Sequence, residues 1–199
     1  AVADCTGHGI PGALMSILGI NLLNQIIIEE RNTDPAYILH RLDHKVNKAF
    51  SYTADIVDEC FAKEYHDGMD IALCCIDHDT HTMKFAGAYR PVYYVRDGEI
   101  HEMKGNRRPI GDTGSDAIFS NYTLRLEKGD NIYMCSDGYA SQFGYLVDKK
   151  FSSGKMKELL LDISNKPFAQ QKTLLEKTFM KWKLQREQTD DVLVMGFQV

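Results

Sequence analysis

The chain has 199 residues, 44% of them hydrophobic and 26% charged, with 23 Lys and Arg against 28 Asp and Glu and a formal net charge of −5. That length suits one soluble globular domain with a sizeable core and leaves room for two. The acidic balance argues against a general nucleic-acid surface. Five cysteines without a C-x-x-C spacing argue against a zinc knuckle and for reduced thiols packed as small hydrophobes in a cytoplasmic setting.

The first residue is Ala1, and the chain opens inside a strand-like run, so we expect a piece of a longer protein; no signal peptide is visible. Val2 to Cys5 reads as the end of a strand, Thr6 to Gly9 as a tight glycine turn, and Ile10 onward as an apolar helix with Pro11 in its first turn. The apolar run to Ile28 is interrupted by Ser16, Asn21, Asn24 and Gln25, which favours a buried helix over a membrane span. Leu14, Ile17, Leu18, Ile20, Leu23, Ile26 and Ile27 cover more than one face, so this helix should be packed on two sides or meet a partner. Asp34-Pro35 predicts an N-cap and first helical turn, and Ile38, Leu42, Val46 and Ala49 carry that helix to about Phe50.

The middle of the chain is strand-like. Ile71 to Ile76 and Met83 to Ala88 flank a polar turn, and Val92 to Val95 and Ile100 to Met103 flank Asp97-Gly98, a strong hairpin signal. Gly105 to Asp116 is a loop. Tyr122 to Leu126 alternates as a half-wet strand, and Ile132 to Cys135 stops at Ser136-Asp137-Gly138. Helices over Lys155 to Ile163 and Pro167 to Lys183 precede a last strand, Val192 to Phe197, reached through Thr189-Asp190-Asp191. This segregation predicts an α+β fold with packed sheets and helices outside them.

Asp4, Asp137 and Asp190 each sit at a junction of strand and turn. Turn capping explains a single such aspartate. Three of them brought together would instead offer hard oxygen ligands to Mg2+ or Mn2+, and a pair of such ions can activate a shared water and neutralise a phosphate. Asp70 could approach the same place, although a cap at the start of its strand is the plainer reading. Arg90, Lys104, Arg107 and Arg108 cluster in sequence; Arg90, Arg107 and Arg108 are candidates for phosphate or partner contact, with a solvated loop as the alternative. His8 is a candidate proton donor or a turn residue beside the site. Cys5 has no neighbour that would make it a nucleophile. Asp77-His78-Asp79-Thr80-His81 is read as a turn rather than a paired-aspartate phosphatase motif.

Asp4-Cys5-Thr6-Gly7-His8-Gly9 followed by Pro11-Gly12-Ala13-Leu14-Met15-Ser16 resembles the signature of the SpoIIE-like phosphatases, a bacterial branch of the PPM-type metal-dependent serine/threonine phosphatases. Phe85-Ala86-Gly87-Ala88-Tyr89-Arg90-Pro91, Lys104-Gly105, Pro109-Ile110-Gly111, Ser136-Asp137-Gly138 and Thr189-Asp190-Asp191-Val192 match in the same order, so the similarity covers essentially the whole chain. The resemblance implies a four-layer α-β-β-α sandwich with two mainly antiparallel sheets, and one SpoIIE-like phosphatase domain over 1–199. Members of the family carry a further strand and aspartate upstream, so an N-terminally truncated domain lacking that strand, and inactive or weakly active, is expected.

By the same resemblance Asp4 bridges two Mn2+ or Mg2+ ions, the Cys5 backbone carbonyl holds one of them, and Asp137 and Asp190 complete the ligand set. Asp191 occupies a position often held by Asn and is a weaker candidate. The implied reaction is hydrolysis of phosphoserine or phosphothreonine by a metal-activated water. The implied substrate is a phosphorylated regulatory protein such as a STAS-domain anti-anti-sigma factor. An upstream sensory domain, a homodimer, and a cytoplasmic location or a cytoplasmic domain of a membrane-attached sensor complete the expectation. The competing reading is a non-catalytic signalling module that keeps the fold and binds a partner through the first helix.

Overall fold

A computed structural model describes residues 1–7, 9–54, 68–112 and 118–199. These form two compact units, one of Ala1, Ala3–Arg90 and Lys104–Arg125, the other of Val2, Pro91–Met103 and Leu126–Val199.

The first unit carries strands β1 (Val2–Cys5), β2 (Met69–Asp77), β3 (Thr82–Ala88) and β6 (Tyr122–Arg125) as one sheet in the order β1-β2-β3-β6. The β2–β3 and β3–β6 pairs are antiparallel, with Asp77 opposite Thr82 at the hairpin end. Asp77 caps that turn by accepting from the backbone N–H groups of Thr80 and Asp79, and the hydrogen bonds from Thr80 above all hold its carboxyl below the usual range. The polar cluster Asp77 to His81 is therefore a turn, as its composition predicts.

Helix α1 (Ile10–Asn24) continues into a π-helical turn (Gln25–Glu29), and α2 (Pro35–Ala54) follows. The predicted cap of α2 is present: the Tyr37 N–H donates to Asp34 Oδ1 at 3.0 Å, and Asn121 Nδ2 donates to the same carboxylate. Ile38, Leu42 and Val46 recur at helical spacing and enter one core with Met15, Ile26, Met69, Ile71, Ala86 and Phe119. By length and composition Ile10–Glu29 could cross a membrane, yet its inner side belongs to this core. Its buried side is made of Gly12, Met15 and Gly19, while Ile10, Leu14, Ile17 and Ile20 remain 58–77% exposed. Of the two expected arrangements, packing on both sides is not seen among the described residues, where this face of α1 is bare.

The second unit carries β4 (Val92–Arg96), β5 (Glu99–Met103), β7 (Asn131–Cys135) and β8 (Val194–Gln198), antiparallel throughout in the order β5-β4-β7-β8. Arg96 pairs with Glu99 across the predicted two-residue turn, where Asp97 and Gly98 both have positive φ, 50° and 76°. A short helix α3 (Gly138–Ser141) precedes α4 (Ser153–Ile163) and α5 (Phe168–Lys183). Tyr93, Tyr133, Tyr139, Phe151, Leu160 and Phe179 form this unit's core. The α+β class with two mainly antiparallel sheets is thus as expected. The last strand begins two residues later than predicted, because the backbone of Leu193 is occupied by bonds to Ser136.

Candidate functional site

The predicted ligands fall in both units, Asp4 with Cys5 in the first and Asp137 with Asp190 and Asp191 in the second. Among the described residues no group of three or more His, Cys, Asp and Glu side chains is gathered as a metal cage. His8 lies outside the described residues.

In the first unit, Asp4 rides on β1, whose end is tied to the start of β2. The Thr6 N–H and hydroxyl both donate to the Gly68 carbonyl, at 2.9 and 3.0 Å, and the Gly68 N–H donates back to Thr6 Oγ1 at 2.6 Å. This lock fixes Asp4 relative to Asp70, two residues into the next strand. Between them stands Arg90, with Nη2 3.3 Å from Asp4 Oδ2 and 2.8 Å from Asp70 Oδ2. The three side chains are 14–20% exposed, so solvent screens the charges only in part.

The position of Arg90 is built by the motif around it. Tyr89 has a left-handed φ of 55°, and the Arg90 N–H turns back onto the Ala88 carbonyl. A side chain at Gly87 would collide with the Arg90 carbonyl, and one at Gly105 would approach it to 2.8 Å. The Tyr89 N–H donates to the Asn106 carbonyl, and the Asn106 N–H to that of Gly87. The blocks Phe85–Pro91 and Lys104-Gly105 therefore meet in space around one arginine, and both glycines are needed because backbone fills the room a Cβ would take.

The Cys5 thiol is pushed above its ordinary value, first by burial; a hydrogen bond from the Ser16 side chain works the other way, and the Asp4 charge adds to the rise. It is a thiol, not a thiolate, near neutral pH, which agrees with its reading as a non-nucleophile. Arg107 is exposed. Arg108 is turned inward: it pairs with Asp43 of α2, and its guanidinium lies 5.0 Å over the ring of Phe119. The solvated-loop alternative does not describe Arg108.

In the second unit, Asp137 lies two residues past β7 and is the N-cap of α3. Its carbonyl accepts from the Ser141 N–H, and its Oδ2 accepts from the Ser141 hydroxyl at 3.2 Å. The Asp190–Asp191 segment lies directly on this turn. The Ser136 hydroxyl donates to the Asp191 carbonyl, and a Cβ on Gly138 would collide with that same oxygen and approach the Asp190 carbonyl to 3.2 Å. Asp190 Oδ1 accepts from the Asp191 N–H at 2.8 Å, and both residues are exposed. The Ser-Asp-Gly and Thr-Asp-Asp blocks, about fifty residues apart in sequence, are thus adjoining turns.

Gln142, fully buried, was not singled out from the sequence. Its amide donates to the carbonyls of Phe143 and Glu187 and accepts from the Thr189 N–H, which holds the loop leading to Asp190. An amide between Tyr139 and Phe143, at the end of a short helix, is the only sequence signal for it. Asp70, for which the sequence offered both an approach to the site and a strand-start cap, is the second carboxylate on Arg90.

The oxygens on offer are of the hard kind that a divalent cation takes, although among the described residues they are not gathered as a cage. Asp4 and Asp70 bracket a positively charged nitrogen, that of Arg90. The second unit offers three carboxylates, those of Asp137, Asp190 and Asp191, on two adjoining turns. Carboxylate oxygens of this kind suit Mg2+ and Mn2+.

The family model described as Stage II sporulation protein E (SpoIIE) matches residues 1–199. No curated protein matches the chain. Among solved structures, the SiaA-PP2C domain of Pseudomonas aeruginosa superposes with a TM-score of 0.84 at 29% identity, over 99% of this chain and 74% of that one. The PP2C phosphatase domain with a fragment of the regulatory domain of the Bacillus subtilis cell fate determinant SpoIIE gives 0.70 at 18% identity, over 98% of this chain and 51% of that one. The catalytic domain of the serine/threonine phosphatase PstP, solved with two manganese ions, gives 0.62 at 18% identity, over 96% and 83%. These matches give the α+β PP2C-type fold, the sandwich class expected from the resemblance.

Proposed function

The chain belongs to the SpoIIE family, and we propose that it is the metal-dependent serine/threonine phosphatase domain of a bacterial signalling protein. By this reading two Mn2+ or Mg2+ ions would be held by Asp4, the Cys5 backbone carbonyl, Asp137 and Asp190, with Asp191 as a weaker contributor. The observation that supports this most is the junction of Ser136 and Gly138 with Asp191, where two carboxylate-bearing turns lie side by side, joined by a hydrogen bond and close backbone packing. That PstP was solved with two manganese ions supports the choice of metal.

Bound ions supply an activated water and neutralise phosphate charge. The chain's own part is to position and to recognise. Asp137 is oriented by Ser141, and the loop bearing Asp190 is held by Gln142. Arg107, exposed and cationic, is suited to an anionic partner surface or a phosphate. The substrate would be a phosphoserine or phosphothreonine in a small regulatory protein, such as a STAS-domain anti-anti-sigma factor. A cytoplasmic site of action, an upstream sensory region and a homodimer belong to the same reading.

The test is Mn2+-dependent hydrolysis of a phosphoserine peptide and of p-nitrophenyl phosphate by the full-length protein, with Asp137→Asn as control. Hydrolysis is expected with Mn2+ and lost by orders of magnitude in the variant. Activity that persists after chelation and in Asp137→Asn would rule the mechanism out.

The bare face of α1, with Ile10, Leu14, Ile17 and Ile20, favours a second reading as a non-catalytic partner-binding module. Calorimetric titration of Mn2+ into the full-length protein separates the two, since the module would take up no metal at its aspartates.

A further inference from the structure

We infer that Arg90 is the resident counter-cation of Asp4: it holds that carboxylate while no divalent ion is bound, and it sets how readily such an ion is taken up. The inference rests on the metal-dependent reading above. One guanidinium nitrogen serves two carboxylates at 3.3 and 2.8 Å, and the shorter contact is to Asp70, not to Asp4. The group is therefore anchored on Asp70 and leans on Asp4. When a divalent ion takes Asp4, the guanidinium can let go of that oxygen and keep the other.

The backbone beneath Arg90 cannot follow. Tyr89 is in the left-handed region, and the backbone of Gly87 and Gly105 lies so near the Arg90 carbonyl that a Cβ at either would run into it. The contact to Asp70, the shorter of the two, keeps the positive charge beside Asp4 when the contact to Asp4 is given up. Two consequences follow from charge alone. Without metal, Asp4 and Asp70 are neighbouring anions whose repulsion Arg90 cancels. With metal, Arg90 is a like charge that the ion must tolerate, so the arginine trades ion affinity for order in the ion-free state. Asp70 is a positioning residue here: its work is to receive the guanidinium.

The experiment is calorimetric titration of MnCl2 alone into the full-length protein and its Arg90→Gln, Arg90→Lys and Asp70→Asn variants, with melting temperatures of the EDTA-treated proteins measured in parallel. Arg90→Gln should bind Mn2+ about tenfold more tightly, the effect of removing one nearby like charge in a partly screened site, and should melt lower when metal-free. Arg90→Lys keeps the charge and should stay within about threefold of wild type. Asp70→Asn should bind Mn2+ more weakly, because the guanidinium then rests wholly on Asp4. Unchanged or weaker binding in a folded Arg90→Gln overturns the role of Arg90 while leaving the metal reading intact. If that variant does not fold, Asp70→Asn decides, and binding as tight as wild type overturns the role. Absence of Mn2+ binding in all four proteins defeats the metal reading itself.

Discussion

The Ser136 hydroxyl donates to the Asp191 carbonyl oxygen at 2.8 Å and accepts from the Leu193 N–H at 3.0 Å, so one side chain closes the gap between the end of β7 and the approach to β8. Removing the hydroxyl leaves a carbonyl and an N–H without this partner beside a buried residue. Ser136→Ala should therefore cost about 1–3 kcal/mol, the usual penalty for stranding such groups. Gly138→Ala forces a methyl group into the Asp191 carbonyl and should cost a similar amount through overpacking, about 1–3 kcal/mol. Urea denaturation measures both. If the junction serves the site as proposed, each variant also loses Mn2+ affinity at temperatures where it is fully folded.

Arg108 and Asp43 give a prediction of a different kind, because their pair is buried. Asp43 also accepts from the Gly111 N–H at 2.7 Å, so the loop over 104–112 is tied to α2 through one carboxylate. Arg108→Met strands that carboxylate in the interior, which should cost about 3–5 kcal/mol. A double substitution to Met and Leu removes both charges and should recover much of the loss. Thermal unfolding of the two single variants and the double variant closes the cycle; strict additivity would show that the pair is not coupled.

These residues also mark where the sequence is legible. Local chemistry was readable: Asp34 caps α2, Asp77 caps its turn, and Asp97-Gly98 makes the hairpin, because each acts on backbone within three residues of itself. The inner side of α1 was not readable, since its apolar residues go all round. The side it buries is set by Gly12 and Gly19, whose small size lets Gly7 and Met69 approach, and a periodicity that weighs large apolar residues passes over them. Arg90 was legible as a cation but not as the partner of Asp4 and Asp70, a pairing that depends on the Thr6–Gly68 lock 62 residues apart. Arg108 carried the same signal as Arg107, and only the tertiary fold separates a buried pair from an exposed charge.

The hairpin supplies a test with no packing in it. A Cβ on Gly98 meets nothing within 4 Å, yet its φ is 76°, so a side chain there is disfavoured by backbone conformation alone. Gly98→Ala should destabilise the protein by about 1 kcal/mol, the left-handed penalty for an L-residue. Asp97→Asn, which keeps a residue tolerant of that region, should be neutral to within about 0.5 kcal/mol. The denaturant slope should be unchanged in both, and a fall in midpoint larger for Asp97→Asn than for Gly98→Ala would contradict the turn assignment.

Glu30 gives the pH dependence. Its carboxylate accepts from Arg41 Nη2 at 3.1 Å and lies 3.3 Å from Lys45 Nζ, joining the end of the π-helical turn to α2. The hydrogen bond from Arg41 outweighs the opposing effect of desolvation, and with the help of Lys45 it lowers the Glu30 pKa from 4.5 to about 2. Because the folded value is the lower one, the stabilisation is fully present above pH 4.5. It is lost as the pH falls through the folded value of about 2, below which Glu30 is protonated in both the folded and the unfolded chain. Asp34, also held below its ordinary value, titrates in an overlapping range, so the signal is isolated by difference against Glu30→Gln. The gap in unfolding midpoint between wild type and Glu30→Gln should be constant above pH 4.5, narrow through the acid range and close near pH 2. Raising the salt concentration should shrink it, since the three side chains are only partly buried. A gap that holds steady down to pH 2 would assign the Glu30 contribution to packing of its stem rather than to its charge.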